Sequence, residues 1–356
     1  MGSNAERGRR ARAGNVDVCR RAATRTSRRV LRANGGLAGA ALGTVLALTA
    51  LPAAADPATP FPVRNLNPLT AIFGLPVWRA LEPGTELALT TELANHYRFS
   101  LRGGQRLILD GETWRTNLAL GHTFRERWRV GVELPYYQQS GGVLDNMIDA
   151  WHSAFGMPDG GHNARPEGAI EYALADTGGV FFMLDERRRG IGDAQLSVAR
   201  EIGGDRALTV QASVKLPTGD EDVLAGSGGT DWSLTLFRAA RATARSRPAG
   251  WFWGVGLLGL GVPDRIEFDT RRTAVVGVVG GGWQLARRLG LKAQLDVHGA
   301  LYDSPLEEIG DTAIQATFGG WVQLGERGVL DLAVVEDIAV STAPDVVLHA
   351  TLRWAW

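Results

Sequence analysis

From residue 85 to the C-terminus, apolar side chains recur at every second position. In 127–135, Trp128, Val130, Val132 and Leu134 share one face, with Arg127, Arg129 and Glu133 on the other. In 207–216, Leu208, Val210, Ala212 and Val214 oppose Thr209, Gln211, Ser213 and Lys215. In 289–301, Leu291, Ala293, Leu295 and Val297 oppose Lys292, Gln294, Asp296 and His298, and the chain ends with Val346, Leu348, Ala350, Leu352, Trp354 and Trp356 opposing His349, Thr351 and Arg353. A period of two marks strands with one apolar face. These segments exceed the usual strand of about 5–6 residues but match the roughly 9–11 residues of a tilted strand crossing a bilayer.

The connections alternate in length. Short turns at 125–126, 203–205, 286–288 and 325–327 alternate with longer loops at 136–190, 217–230, 261–271, 302–311 and 340–345. Outer-membrane barrels segregate their loops this way, with short turns on the periplasmic side. The pattern therefore predicts an all-β fold, a transmembrane antiparallel up-and-down β-barrel. Twelve strands are expected near 85–96, 111–123, 126–136, 191–202, 206–217, 230–242, 250–260, 272–284, 289–301, 312–324, 328–339 and 346–356. Residues 97–110 are expected as an extended loop. Fourteen strands follow instead if they and 69–81 both form strands, because such barrels have even strand numbers. Trp128, Trp283, Trp354 and Trp356 fall near the short-turn ends, and Trp114, Tyr136, Tyr137 and Tyr302 near the long-loop ends, as two interfacial girdles would.

Charge adds an export signal. The chain has 38 basic and 38 acidic residues, but ten arginines and only two acids precede residue 33. That leaves 28 basic against 36 acidic groups in 56–356, a net of −8, which argues against a nucleic-acid partner. The arginine-rich start, the uncharged stretch 37–51 and Ala53-Ala54-Ala55 have the layout of a secretory signal peptide. The expected organisation is a signal peptide over 1–55, a periplasmic or lumen-plugging segment over 56–84, and the barrel over 85–356 with a long loop at 138–190. The single cysteine, Cys19, lies in the leader, so neither disulfides nor Cys-ligated metal sites are expected in the body. The longest apolar run, 251–262, is too short for a membrane helix of about 20 residues.

Three stretches carry a family resemblance: Leu107-Ile108-Leu109-Asp110-Gly111-Glu112-Thr113, the segment 143–161, and Pro62-Val63-Arg64-Asn65-Leu66-Asn67-Pro68-Leu69. They resemble domain-of-unknown-function family 3187, a proteobacterial set of presumed outer-membrane proteins. KLPTGD at 215–220 and GSGGTDW at 226–232 also resemble barrels encoded with phenol meta-pathway genes. The resemblance implies an outer-membrane barrel and hints at transport of aromatic or apolar solutes. It supplies no catalytic residue.

Candidate chemistry is concentrated in two places. In the long loop, Leu144, Ile148, Trp151 and Phe155 recur at helical spacing, so 143–155 reads as a short amphipathic helix. Asp145, Asp149 and His152 share its polar face, with Asp159 and His162 beyond it. They read as a solvated helix face, the alternative being a carboxylate–histidine site at the mouth. No G-x-S-x-G, H-E-x-x-H or P-loop occurs, and no metal or cofactor is implied.

The second place is the lumen. Glu133, Gln211, Lys215, Lys292, Gln294, Asp296, His298, His349 and Arg353 point inward if their neighbours face lipid. The strands 251–261 and 273–283 are apolar or glycine on both faces, which would turn Phe252, Gly254, Gly256 and Leu258 inward. Glycines there suggest close approach by another segment: the N-terminal stretch 56–83, the helix 143–155 or an apolar ligand.

The leading expectation is a non-enzymatic channel for small apolar or aromatic solutes, partly closed by an inserted segment. A closed structural or surface-interaction barrel is the alternative, with a hydrolase using Asp145, Asp149 and His152 behind it. The expected partners are outer-membrane lipid, the barrel-assembly machinery through the C-terminal strand ending in Trp356, and a small-molecule solute.

Overall fold

The computed structural model describes residues 56–125, 127–142, 168, 170–203, 208–240, 249–266, 268–338 and 342–356. Twelve antiparallel strands close into a barrel, each hydrogen-bonded to its neighbours in sequence order. The first three are β1 (Gly84–Arg102), β2 (Gln105–Phe124) and β3 (Trp128–Ser140). Between them and the rest lie three shorter strands, β4 (Glu171–Asp176), β5 (Gly179–Leu184) and β6 (Arg188–Ile191). The wall then continues through β7 (Gln195–Ile202), β8 (Leu208–Lys215), β9 (Asp231–Ala239), β10 (Ala249–Gly259) and β11 (Thr273–Ala286). It ends with β12 (Leu289–His298), β13 (Ala313–Leu324), β14 (Gly328–Asp337) and β15 (Val346–Ala355). Closure is made by β1 on β15, in register from Glu86 opposite Ala355 to Asn95 opposite Val346.

The expected twelve-strand count is met, and the residues outside that count behave differently from the expectation. Residues 97–110 are neither a loop nor an extra wall strand. They prolong β1 and β2 past the rim, joined through Gly103 and Gly104, whose φ values of 59° and 80° suit a two-residue hairpin turn. There β2 stays paired with β1 while its other edge passes from β3 to β4, from Arg106 opposite Ala175 to Asp110 opposite Glu171. Residues 69–81 form no strand. They begin in a helical turn, α1 (Pro68–Ala71), capped by the Asn67 side chain accepting the Leu69 N–H. The part of the long loop after residue 170 is a β-hairpin plus β6, which pairs with the upper half of β3. The expected helix at 143–155 lies outside the described residues.

Alternation sorts every wall strand into two faces. Val130, Val132, Leu234, Leu257, Val279, Leu291 and Leu332 are exposed on the outside. Arg115, Gln211, Ser213, Thr235, Lys292, Gln294, Thr317 and Asp331 are buried on the inside. A soluble protein rarely leaves so continuous an apolar surface uncovered, whereas hydrocarbon lipid covers it at no cost. The strands therefore cross a membrane.

The interior is filled by the chain's own N-terminal stretch, in which residues 60–78 are all buried. It starts beside the short-turn ends of β10 and β11, where Ala58 and Pro57 approach Gly250 and Gly282. It climbs along β12, with Phe61 N–H donating to Gln294 Oε1 at 2.8 Å and Gln294 Nε2 returning a bond to the Phe61 carbonyl at 3.2 Å. At the long-loop end it turns through α1, then descends to enter β1 at Gly84. Two apolar clusters hold it: Phe61, Val63 and Leu66 against Ala94, Val335 and Val347, and Leu69, Ile72, Phe73, Leu75 and Trp78 in the main core.

Candidate functional site

The candidate site is the lumen, built from inward side chains of the wall and the backbone of residues 56–83. Its charges are paired almost without exposure to water. Arg64 donates to Gln195 Oε1 at 2.7 Å and to Glu133 Oε2 at 3.3 Å, and also holds the Leu75 carbonyl, tying the ascending and descending arms together. Arg79 reaches Glu133 at 3.2 Å and Glu86 at 3.5 Å. Lys292 donates to Asp331 at 2.6 Å and to the Thr59 carbonyl at 3.2 Å, with its ammonium 4.0 Å from the centre of the Phe61 ring. Arg353 completes this group on the second Asp331 oxygen at 2.9 Å. Buried charges are tolerated only when paired in this way.

At the upper end, the KLPTGD and GSGGTDW stretches gather at two carboxylates, Asp193 and Asp231. The strand line from β6 to β7 breaks at 192–194, which turns Asp193 inward. Asp193 accepts Lys215 Nζ at 2.5 Å and the backbone N–H groups of Thr218, Gly219 and Ser227 at 3.0, 2.7 and 3.1 Å. Asp231 accepts the N–H groups of Gly74 and Gly261, both at 2.7 Å, and stands 3.4 Å from Lys215. These motifs are thus joints between loops, wall and inner segment.

A carboxylate–imidazole–hydroxyl chain also occurs. His349 Nδ1 is 3.1 Å from Glu92 Oε1, His349 Nε2 is 3.0 Å from Thr351 Oγ1, and Thr351 is 2.9 Å from Thr90. An ionised Glu92 can only accept, so Nδ1 donates to it. Phe61 lies edge-on over the imidazole at 6.0 Å. The chain satisfies a buried imidazole rather than presenting a nucleophile.

The sequence-level candidates are placed as follows. Glu133, Gln211, Lys215, Lys292, His349 and Arg353 hydrogen-bond within the lumen, Gln211 to the Val77 carbonyl at 3.3 Å. His298 Nε2 meets Asn65 Nδ2 at 2.9 Å, and Asp296 accepts from Gln294 at 2.7 Å. Phe252 is buried in the main core. Gly254 is where Trp78 packs: a Cβ there would fall 2.6 Å from two indole carbons. At Gly256 the close neighbours are Thr235 and Leu234 of the adjoining strand. Asp145, Asp149 and His152 lie outside the described residues.

Two girdle assignments are corrected. Tyr137 and Tyr302 do not face the membrane interface but are buried inside, where their hydroxyls donate to the carbonyls of Ala71 at 3.2 Å and Leu69 at 2.7 Å. Burial pushes the Tyr302 hydroxyl above the ordinary tyrosine range, with Asp231 adding to the effect, so it stays a donor. Tyr137 could have been placed from the sequence, because adjacent strand residues face opposite ways and Tyr136 is outward. Glu86, Glu92, Arg115 and Asp331 were legible by the same alternation. Arg64, Arg79 and Trp78 carried no periodic signal.

A closed twelve-stranded antiparallel barrel with an apolar outer belt and a polar, filled lumen defines a membrane-spanning β-barrel protein. Within that class, the chain belongs to the DUF3187 family, described as proteins of unknown function, whose model matches residues 37–356. No curated protein matches it. Among solved structures it is similar to the COG4313 outer membrane channel from Pseudomonas putida F1, at 10% identity and a TM-score of 0.49, covering 78% of this chain and 97% of that one. It is also similar to the Ralstonia pickettii toluene transporter TbuX, at 9% identity and a TM-score of 0.35, covering 78% and 90%. A Pseudomonas aeruginosa FadL homologue gives 10% identity and a TM-score of 0.36, covering 76% and 90%.

Proposed function

We propose that this protein is an outer-membrane channel for small apolar or aromatic solutes, with residues 56–83 acting as its plug. The observation that carries the reading is the asymmetry of the lumen wall. Most inward positions are polar and hydrogen-bonded, but Phe237 of β9, Phe252 and Leu258 of β10, and Ala274, Val276 and Val278 of β11 form one apolar strip. Residues 56–83 cover this strip, and when they move aside it leaves the continuous lining that an apolar solute needs. In this reading, residues 1–55 direct export and are removed, and the strand ending in Trp356 engages the assembly machinery.

The test is conductance. Residues 56–356 and a version beginning at residue 84 would be refolded and inserted into planar bilayers, with folding checked by heat-modifiable migration on gels. The longer form is expected to be silent or to open rarely, and the shorter to show stable ohmic steps. A folded but silent short form would refute the channel and favour a closed structural barrel.

A further inference from the structure

The descending arm of the plug places one large aromatic side chain, Trp78, on the apolar strip. Its indole lies over the bare backbone of Gly254 and stacks on Phe237, the residue paired with Gly254 on β9, with ring centres 6.3 Å apart and planes inclined by 30°. Phe237 is backed by Phe252 at 6.2 Å. Val278, paired with Gly254 on β11, stands on its other side, its Cγ1 3.1 Å from the position a Cβ on Gly254 would take. The bare glycine between Phe237 and Val278 leaves a dry slot with no side-chain hydrogen-bond demand of its own. Any planar apolar ring of similar outline would fit it. Apolar cavities of roughly 150 Å³ bind benzene, and a vacated indole leaves space of that order.

The slot has a polar end. A cavity of about 30 Å³ opens between Trp78 and the inner faces of β12 and β13, bordered by Val276, Asp296, His298, Gln315 and Arg64. That volume holds a water or two, or the hydroxyl of a larger guest. Two groups on its border are committed elsewhere: His298 to Asn65, and the Arg64 terminal nitrogens to Gln195 and Leu75. Gln315 is different. It is 2% exposed, yet its Nε2 has no acceptor. Like Arg64 Nε on the same border, it is a buried donor free to take an acceptor from a guest or a water. Asp296 accepts one bond from Gln294, and a carboxylate can accept more.

We infer that the Trp78 slot is the solute site of the channel, and that it takes a neutral monocyclic aromatic ring bearing a hydroxyl group, which competes with the indole for Gly254 and Phe237. The inference rests on the channel reading and adds the site and the chemistry of the solute. A hydroxyl donates to Asp296 and accepts from Gln315 Nε2 at once. A bare hydrocarbon leaves Gln315 unpaired, and an ammonium offers Gln315 no acceptor. Entry of the ring displaces Trp78, on either side of which the arm is held by Arg64 on the Leu75 carbonyl, by Gln211 on the Val77 carbonyl at 3.3 Å and by Arg79 on its two glutamates at 3.2 and 3.5 Å.

The test is a ¹⁹F NMR titration in lipid nanodiscs with 4-fluorophenol and fluorobenzene as probes. Trp78→Ala removes the competitor, so saturable 4-fluorophenol binding should tighten at least tenfold over wild type. Trp78→Ala with Gly254→Leu refills the slot and should abolish saturable binding, which also measures partition into lipid. If that pair does not fold, Trp78→Ala with Val276→Phe refills the slot from β11. Trp78→Ala with Gln315→Leu should bring 4-fluorophenol down to the affinity of fluorobenzene. Equal affinity in wild type and Trp78→Ala, or saturable binding in both refilled variants, would overturn the site. Equal binding of the two probes to Trp78→Ala would overturn the hydroxyl preference. Conductance of the form beginning at residue 84 separates the two claims. Ohmic steps with failed titrations leave the channel and remove the site, whereas a silent form with successful titrations removes the channel and leaves a ligand-binding barrel.

Discussion

The backbone N–H of Gly74 donates to the carboxylate of Asp231 at 2.7 Å, joining the turn of the inner segment to the first residue of β9. The other Asp231 oxygen takes the Gly261 N–H, and Lys215 lies alongside. Asparagine at 231 could satisfy only one of the two N–H groups, because its amide would set a donor against the other. Each hydrogen bond to a charged group contributes roughly 1.5–3 kcal/mol. Asp231→Asn is therefore expected to free the plug at its summit, raising open probability in planar bilayers at least tenfold. It should also lower the midpoint of heat-modifiable unfolding. An unchanged record on both measures would show that the joint does not hold the plug.

Arg64 and Glu133 form the second tie, at 3.3 Å, and Glu133 is shared with Arg79. Removing one partner of a buried pair costs about 3–5 kcal/mol, largely because the other is left unpaired. Arg64→Met and Glu133→Gln should each destabilise the barrel in urea titrations. The double variant should cost less than the two single costs added, since groups in one network are not independent. Strict additivity would mean that the two side chains act separately.

On the outer face, Val279 of β11 lies in the middle of the wall, opposite Trp253 on one side and Leu295 on the other. Arginine at the bilayer midplane costs a barrel about 2–4 kcal/mol. Val279→Arg should show that loss in folding titrations into lipid vesicles, while Val262→Arg, at an exposed position beyond the end of β10, should be nearly silent. If both are equally mild, the belt is not in hydrocarbon.

The wall was open to sequence reading because lipid on one side and a polar lumen on the other impose a period of two that no single residue can break without cost. Strand positions, the count of twelve and the inward set from Glu133 to Arg353 follow from that alternation. The girdle reading of Tyr137 failed for the opposite reason. It relied on closeness to a loop, although alternation from Tyr136 already pointed it inward. Gly254 announced a close approach but not its partner, because Trp78 meets it only through a fold that brings positions 176 residues apart together. The inner segment has no regular period: its bonds run from backbone carbonyls and single side chains such as Arg64 and Asn65 to whichever wall residue stands opposite.

Tyr302 offers the most selective probe of that segment. Its hydroxyl donates to the Leu69 carbonyl at 2.7 Å, and its ring packs edge-on against Phe73 at 5.6 Å. Tyr302→Phe keeps the ring and deletes the bond, leaving a buried carbonyl in α1 without this donor. The net loss for such a bond is about 1 kcal/mol, too small to unfold the barrel. Amide exchange of Thr70, Ala71 and Phe73 should then accelerate roughly fivefold, as expected for a local opening that costs about 1 kcal/mol less. Exchange in β12 and β13 should be unaltered. Equal acceleration throughout the wall would mean that α1 and the barrel open as one unit, so that the plug could not leave the lumen of a folded channel.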